Sequence, residues 1–215
     1  MEKVITTLET QKNNPDRINV FLDGEFAFGI SRFVGAWLSI GQKIDESKIT
    51  TLITTDEKER ALQSALRFIG YRQRTEAEVI NKLEKLKFTS EIIDIIMNEL
   101  REKKYVDDKE FAVQWIEIRG ESKPRGKNLF LFELRKKGIP ADVIESVIED
   151  IPEETEMALR LGKKYLKRFS SLKDDDFRKK MTGVLARRAF PYSVVKETID
   201  AIIKIRNNEA IEEQE

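Results

Sequence analysis

The sequence predicts a mainly α-helical chain: three tandem three-helix repeats forming an elongated curved array, preceded by a small β-hairpin or three-stranded leader. Three observations carry this. Apolar positions recur at a fixed spacing of 51 residues through the last two thirds of the chain, the mark of a repeat architecture. Residues 4–30 instead alternate around an Asp23-Gly24 pair, the pattern of a hairpin. The composition, with 40% apolar and 36% charged residues and only ten Gly and five Pro in 215, suits a packed core and excludes collagen-like and low-complexity chains. No apolar run approaches the roughly 18–20 residues that cross a bilayer.

The leader is expected over residues 1–55. Ile18, Val20 and Leu22 alternate with Asn19 and Phe21, and Phe26, Phe28 and Ile30 follow at period two. Between them Asp23-Gly24 supplies the positive φ that a two-residue hairpin loop requires. This register sets Phe21 opposite Phe26. It gives one aromatic face (Phe21, Phe26, Phe28) and one aliphatic face (Ile18, Val20, Leu22). Val4–Thr10 reads as a third strand joined through the polar turn at Lys12–Asp16. Ser31 is placed to cap a short helix through Trp37, which Gly41 ends.

From about Asp45 onward the chain reads as helix. Leu83, Leu134 and Leu185 share one register, and so do Val79/Phe130/Met181, Phe88/Ile139/Phe190 and Ile93/Ile144/Val195. Ile92/Val143/Val194, Met97/Ile148/Ile199 and Leu100/Ile151/Ile202 complete the set, while Ile96/Val147 meets the polar Thr198. A leading helix precedes each copy, at about 57–70, 109–119 and 154–167. Thr75 with Glu78 forms a capping box, and Thr89 can cap the next helix. Pro140, Pro152 and Pro191 stand where helices begin, since proline's missing N–H costs nothing there. Gly138 stands where one ends. The repeats are expected at 56–106, 107–151 and 152–206, followed by a disordered acidic tail at 207–215. A three-helix unit buries little alone, so neighbouring copies are expected to share core. Such an array binds more often than it catalyses.

The chain holds no Cys and no His, which excludes cysteine nucleophiles, Ser-His triads, imidazole bases and the usual zinc sites. It shows no phosphate-binding glycine loop. The absence of Cys and of an apolar signal segment gives a cytoplasmic expectation. Charge balances at 39 basic and 39 acidic residues but is segregated. Residues 160–188 hold eleven basic residues against three aspartates, and 119–137 hold seven against two. Between them, 139–158 carry seven acids and no base. Lys85, Lys136 and Arg187 share a register, so a basic row along one side would suit either a nucleic-acid backbone or an acidic protein groove. Asp107-Asp108 is the nearest thing to a Mg²⁺ pair. Helix capping explains it better, because adjacent helix-start side chains diverge and no third ligand follows. Arg72-Gln73-Arg74 reads as a phosphate contact or as paired surface arginines. Phe111 and Trp115, four apart, read as core, and Tyr192 stays open.

Arg72-Gln73-Arg74-Thr75 with Glu78, then Lys82-Leu83, Leu100, Tyr105-Val106-Asp107-Asp108 and Phe111-Ala112, resembles the signature of RecX proteins. Arg119, Gly126 and the run 133–139 (ELRKKGI) extend the likeness, and residues 21–26 (FLDGEF) resemble the leader of Gram-positive members. Two departures stand at helix ends: Lys87-Phe88 where the family often has Lys-Gly, and Ala189 for the corresponding glycine of the third repeat. The resemblance implies a non-enzymatic negative regulator of RecA that lodges in the groove of the RecA–ssDNA filament and inhibits ATPase, extension and strand exchange. It implies a monomer in the cytoplasm that uses no cofactor, metal, membrane or small-molecule substrate. Arg72, Arg74, Lys85, Lys127, Arg135, Lys136, Arg187 and Arg188 are the candidate contacts to filament acids or to single- or double-stranded DNA. Tyr105, Asp107 and Asp108 are expected to organise a junction between repeats. The alternatives are a DNA-binding module that acts without RecA and, more remotely, a metal-dependent nuclease using Asp107 and Asp108.

Overall fold

The structure, a computed structural model, describes residues 2–212. Two compact units are formed, Met1–Gln73 with Val79–Tyr105, and Arg74–Glu78 with Val106–Glu215.

The first unit opens with an antiparallel sheet of order β3-β2-β1-β4, from β1 (Lys3–Gln11), β2 (Asn14–Leu22), β3 (Glu25–Ser31) and β4 (Lys43–Ile44). Asp23 and Gly24 both adopt positive φ, 51° and 89°, as the mirror-image hairpin turn demands. Phe21 pairs with Phe26, their rings edge-to-face at 5.8 Å. The expected aromatic face does not form. A bulge between Val20 and Phe21 inserts one residue and reverses the side-chain parity beyond it, so Phe28 lies opposite Val20. Phe28 is therefore buried with Ile5, Val20, Leu22 and Ile30, while Phe26 is exposed. β4 escapes prediction because two residues carry no periodicity; it pairs with Lys3 and Val4. The short helix expected after Ser31 is only a turn. Ser31 Oγ accepts the Val34 amide at 3.2 Å, and the Ser31 carbonyl accepts Gly35 N at 3.0 Å, but the following bonds tighten to three-residue spacing.

Helix α1 spans Glu46–Gly70, capped by Asp45, which accepts the Lys48 amide at 2.7 Å. A boundary at residue 55 thus falls inside one continuous helix. Buried Asp56 fixes α1 to the sheet. It takes Arg17 through Nη2 at 2.9 Å and Nη1 at 3.3 Å, and the Ser31 amide at 2.7 Å. Arg17 also donates to the Gly29 carbonyl. α2 (Glu76–Lys85) and α3 (Ser90–Glu102) follow, with Thr89 capping α3 as expected.

The second unit holds α4 (Asp108–Ser122), α5 (Lys127–Lys136), α6 (Ala141–Ser146), α7 (Glu154–Phe169), α8 (Asp174–Ala186) and α9 (Tyr192–Glu212). Nine α-helices thus occur among the described residues, in three sets of three. α6 is cut short: a 3-10 turn covers Ile148–Asp150, and Pro152 drives Ile151 into extended backbone. The second and third repeats share one core running from Phe111 to Ile203, as the sequence leads one to expect. The registers hold in burial. Leu83, Leu134 and Leu185 are each fully buried, as are Val79, Phe130 and Met181. Gly126 lets the second repeat meet the third, since a Cβ there would overlap the Ala189 carbonyl. At the register of Gly138 the other two repeats keep the glycine-like backbone without a glycine, at Ala189 and at Lys87 rather than at the Phe88 that the likeness pointed to. Lys87, Gly138 and Ala189, 51 residues apart, have φ of 67°, 81° and 58°. Each is followed by the same six-to-one bond, Phe88 to Leu83, Ile139 to Leu134 and Phe190 to Leu185. α9 continues to Glu212, so the acidic tail expected to be disordered from 207 starts as helix; residues 213–215 lie outside those described.

Candidate partner-binding surface

The charged residues of the second unit fall into a held set and an open set. The held set begins at the aspartate pair. Asp107 caps α4, one carboxylate oxygen accepting the Lys109 and Glu110 amides at 3.0 Å each. Asp108, buried in the first turn of α4, instead accepts the Glu76 amide at the start of α2 at 2.9 Å. The adjacent carboxylates thus diverge onto two helix N-termini. Thr75 Oγ1 accepts the Glu78 amide at 3.2 Å and donates to the Lys137 carbonyl at 2.8 Å. Glu78 takes Lys137 Nζ at 3.1 Å and stands 4.0 Å from Arg74. Tyr105, half exposed, follows Lys104 in left-handed backbone and closes α3 through its amide to the Leu100 carbonyl.

The second held group joins α4 and α5. Phe111 is core, stacked on Trp115 at 5.8 Å, but Trp115 is only half-buried and lies between two cations. Arg119 lies 4.4 Å from its ring and Lys137 4.9 Å. Its indole N–H donates to Glu133 at 3.0 Å, and the other Glu133 oxygen is paired with Arg125. Arg125 is buried, donates to the Lys123 carbonyl at 3.0 Å and lies over Phe130. Burial pushes its guanidinium below the ordinary arginine range. The Glu133 carboxylate opposes that shift, while Arg119 and Arg188 add to it. It remains a cation. Sequence reading missed this network, since Arg125 and Glu133 sit in a basic stretch with nothing to distinguish an inward charge from an outward one.

The open set is smaller, and among the expected contacts it is clearest at the end of α5. Arg135 and Lys136 are exposed on the last turn of α5, where cations also suit the helix dipole, and no ion pair involves either among the described residues. Arg187 is exposed at the end of α8; Arg188 is half-buried, and its carbonyl accepts Gly126 N at 2.8 Å. Lys127 is half-buried at the start of α5, where its amide donates to Glu154 at 2.6 Å. The Gly126–Arg188 bond therefore gathers Lys127 and Arg188 at the start of α5. Arg135 and Lys136 stand at its other end, roughly 13 Å away along the axis. The remaining expected contacts lie outside this open set or in the first unit: Lys85 is exposed at the end of α2, and Arg72, exposed in the first unit, is engaged, donating to the Gln73 carbonyl at 2.8 Å. Arg74 is half-buried beside Glu78. Among the described residues no helix is long and apolar enough to cross a membrane.

Four family models match the chain in order. The regulatory protein RecX N-terminal domain covers residues 3–45, and the first, second and third RecX three-helix domains cover 61–100, 107–148 and 152–199. The regulatory protein RecX of Geobacillus sp. is 31% identical over 220 residues, covering 99% of this chain and 79% of that protein. The regulatory protein RecX of Bacillus subtilis is 29% identical over 214 residues, covering 98% of this chain and 81% of that protein. A crystal structure of regulatory protein RecX superposes with a TM-score of 0.66 at 27% identity, covering 92% of this chain and 99% of the other. With the strand leader and all three helical repeats matched in sequence order, the chain belongs to the RecX family of regulatory proteins.

Proposed function

We infer that this protein is a negative regulator of the RecA recombinase, binding the groove of the RecA–ssDNA filament and inhibiting its ATPase, extension and strand exchange. Membership of a regulatory family supports the reading. The observation that ties it to residues is the pair Arg135 and Lys136, exposed and outside any ion pair among the described residues. Nearby Arg119, Arg125 and Lys137 are engaged by rings and carboxylates. Cations left open beside others so fully engaged suit an acidic or phosphate-bearing surface. The protein acts as a cytoplasmic monomer without cofactor or chemistry of its own, and any ATP turned over is RecA's. A ligand that favours a non-extending filament shifts the population toward it only by its differential affinity.

The test is RecA's DNA-dependent ATPase, titrated with the wild type and with an Arg135→Glu/Lys136→Glu variant. Inhibition by the wild type at substoichiometric ratios, weakened about tenfold or more in the variant, is expected. Equal inhibition by both overturns the assignment to these two residues; no inhibition by the wild type overturns the function.

A further inference from the structure

The first unit holds an open groove of about 620 Å³. The start of β2, the end of β3 and one face of α1 wall it, and the turn between α2 and α3 closes one side. Three exposed arginines project around it: Arg32 after β3, and Arg60 and Arg67 on α1. Arg60 lies over Phe88 at 5.8 Å and Arg67 Nε donates to the Gln63 carbonyl. None of the three forms an ion pair among the described residues, whereas Arg17, at the back of the groove, is already satisfied by Asp56. Apolar surface is interleaved with these charges, with Phe33 75% and Leu86 43% exposed. Asp16 and Glu59 add acceptors to the same walls.

That mixture discriminates between polyanions. A DNA backbone carries no hydrogen-bond donor to offer the Asp16 and Glu59 carboxylates on these walls. An extended peptide carries an N–H at almost every residue and can alternate carboxylates with apolar side chains. We propose that this groove is a docking site for an acidic peptide segment of a partner protein. The segment's carboxylates pair with Arg32, Arg60 and Arg67, and its apolar side chains cover Phe33 and Leu86. Planar guanidiniums suit bidentate carboxylate capture, and the Asp56–Arg17 tie holds the wall carrying Arg60 and Arg67 against the sheet before the ligand arrives. The site shares no residue with the set assigned to RecA, and it stands or falls independently of the RecA reading.

The experiment uses the full chain and a fluorescein-labelled peptide alternating glutamate with leucine, followed by fluorescence anisotropy. Saturable binding is expected. Arg60→Glu/Arg67→Glu should weaken it about tenfold or more, with Arg32→Glu and Phe33→Ala each weakening it less. Arg135→Glu/Lys136→Glu should leave it unchanged. All six substituted residues are exposed, and circular dichroism checks that each variant keeps its helix content. Failure of the wild type to bind the peptide, or equal binding by the Arg60→Glu/Arg67→Glu variant, overturns the proposal. So does preferential binding of oligothymidylate that is lost in that variant, which would make the groove a nucleic-acid site.

Discussion

The second and third repeats fill the same apolar registers and share one core, yet they place their charges differently. In the second repeat, α4 and α5 are joined through a sequestered network in which Arg125, Glu133 and Trp115 satisfy one another and Arg119 and Lys137 flank the indole. In the third, the helices meet through apolar contact. Gly162 on α7 admits α9 so closely that a Cβ there would come within 2.9 Å of Ile202. Its polar ties between α8 and α9 are the exposed pair Arg178–Asp200 and the half-buried Arg206, which stands 3.5 Å from Asp174, donates to the Leu172 carbonyl at 2.8 Å and lies over Phe177. Apolar periodicity specifies the fold of both repeats, and the polar positions decide which cations are structural and which stay open.

Removing the buried network gives the largest effect. Arg125→Ala leaves Glu133 without its cation in a half-buried site and should lower stability by about 3 kcal/mol, read as a shift in the urea midpoint. Gly162→Val drives two branches into Ile202 and should cost about 2 kcal/mol. A loss there as large as that of Arg125→Ala would show that packing and polar satisfaction weigh equally. The helix ends sharpen the comparison further. Ala189→Gly and Lys87→Gly each relieve a left-handed non-glycine residue and should each raise stability by about 1 kcal/mol. Gly138→Ala should lower it by more than that, because the new Cβ also meets Ala77. The smallest effect is expected at the exposed pair: Arg178→Ala should leave the midpoint nearly unchanged in moderate salt. Asp200 is held below the usual carboxylate range by its hydrogen bond from Arg178. Any contribution from the pair is therefore present at neutral pH and lost as the pH falls through the Asp200 value.

Much of this was legible in the chain. The Asp23-Gly24 turn, the apolar registers and the helix caps at Thr75, Thr89 and Asp107 are local or periodic signals, and the structure carries each of them. The parity of Phe28 was not legible, because a bulge is one unpaired residue that leaves the alternation intact to the eye. Nor was the inward turn of Arg125, since charge has no periodicity where an arginine and a glutamate satisfy each other across two helices. The positive φ at Lys87 and Ala189 shows the converse. The register predicts a helix end there, and the backbone keeps the geometry although the residue that favours it has gone. For the candidate surface, exposure of Arg135 and Lys136 follows from helical phase, but their separation from Lys127 and Arg188 needed the Gly126–Arg188 contact.

Whether the open cations serve a protein-coated filament or bare nucleic acid is decided most directly by one measurement: the anisotropy of the labelled full-length protein titrated with ssDNA alone and with ssDNA saturated by RecA, over a range of salt. Binding to the RecA-coated strand about tenfold or more tighter than to the bare strand, and weakened by Arg135→Glu/Lys136→Glu, is the result expected. Equal or tighter binding to bare ssDNA, falling with salt by about one logarithmic unit per phosphate contact, would contradict it.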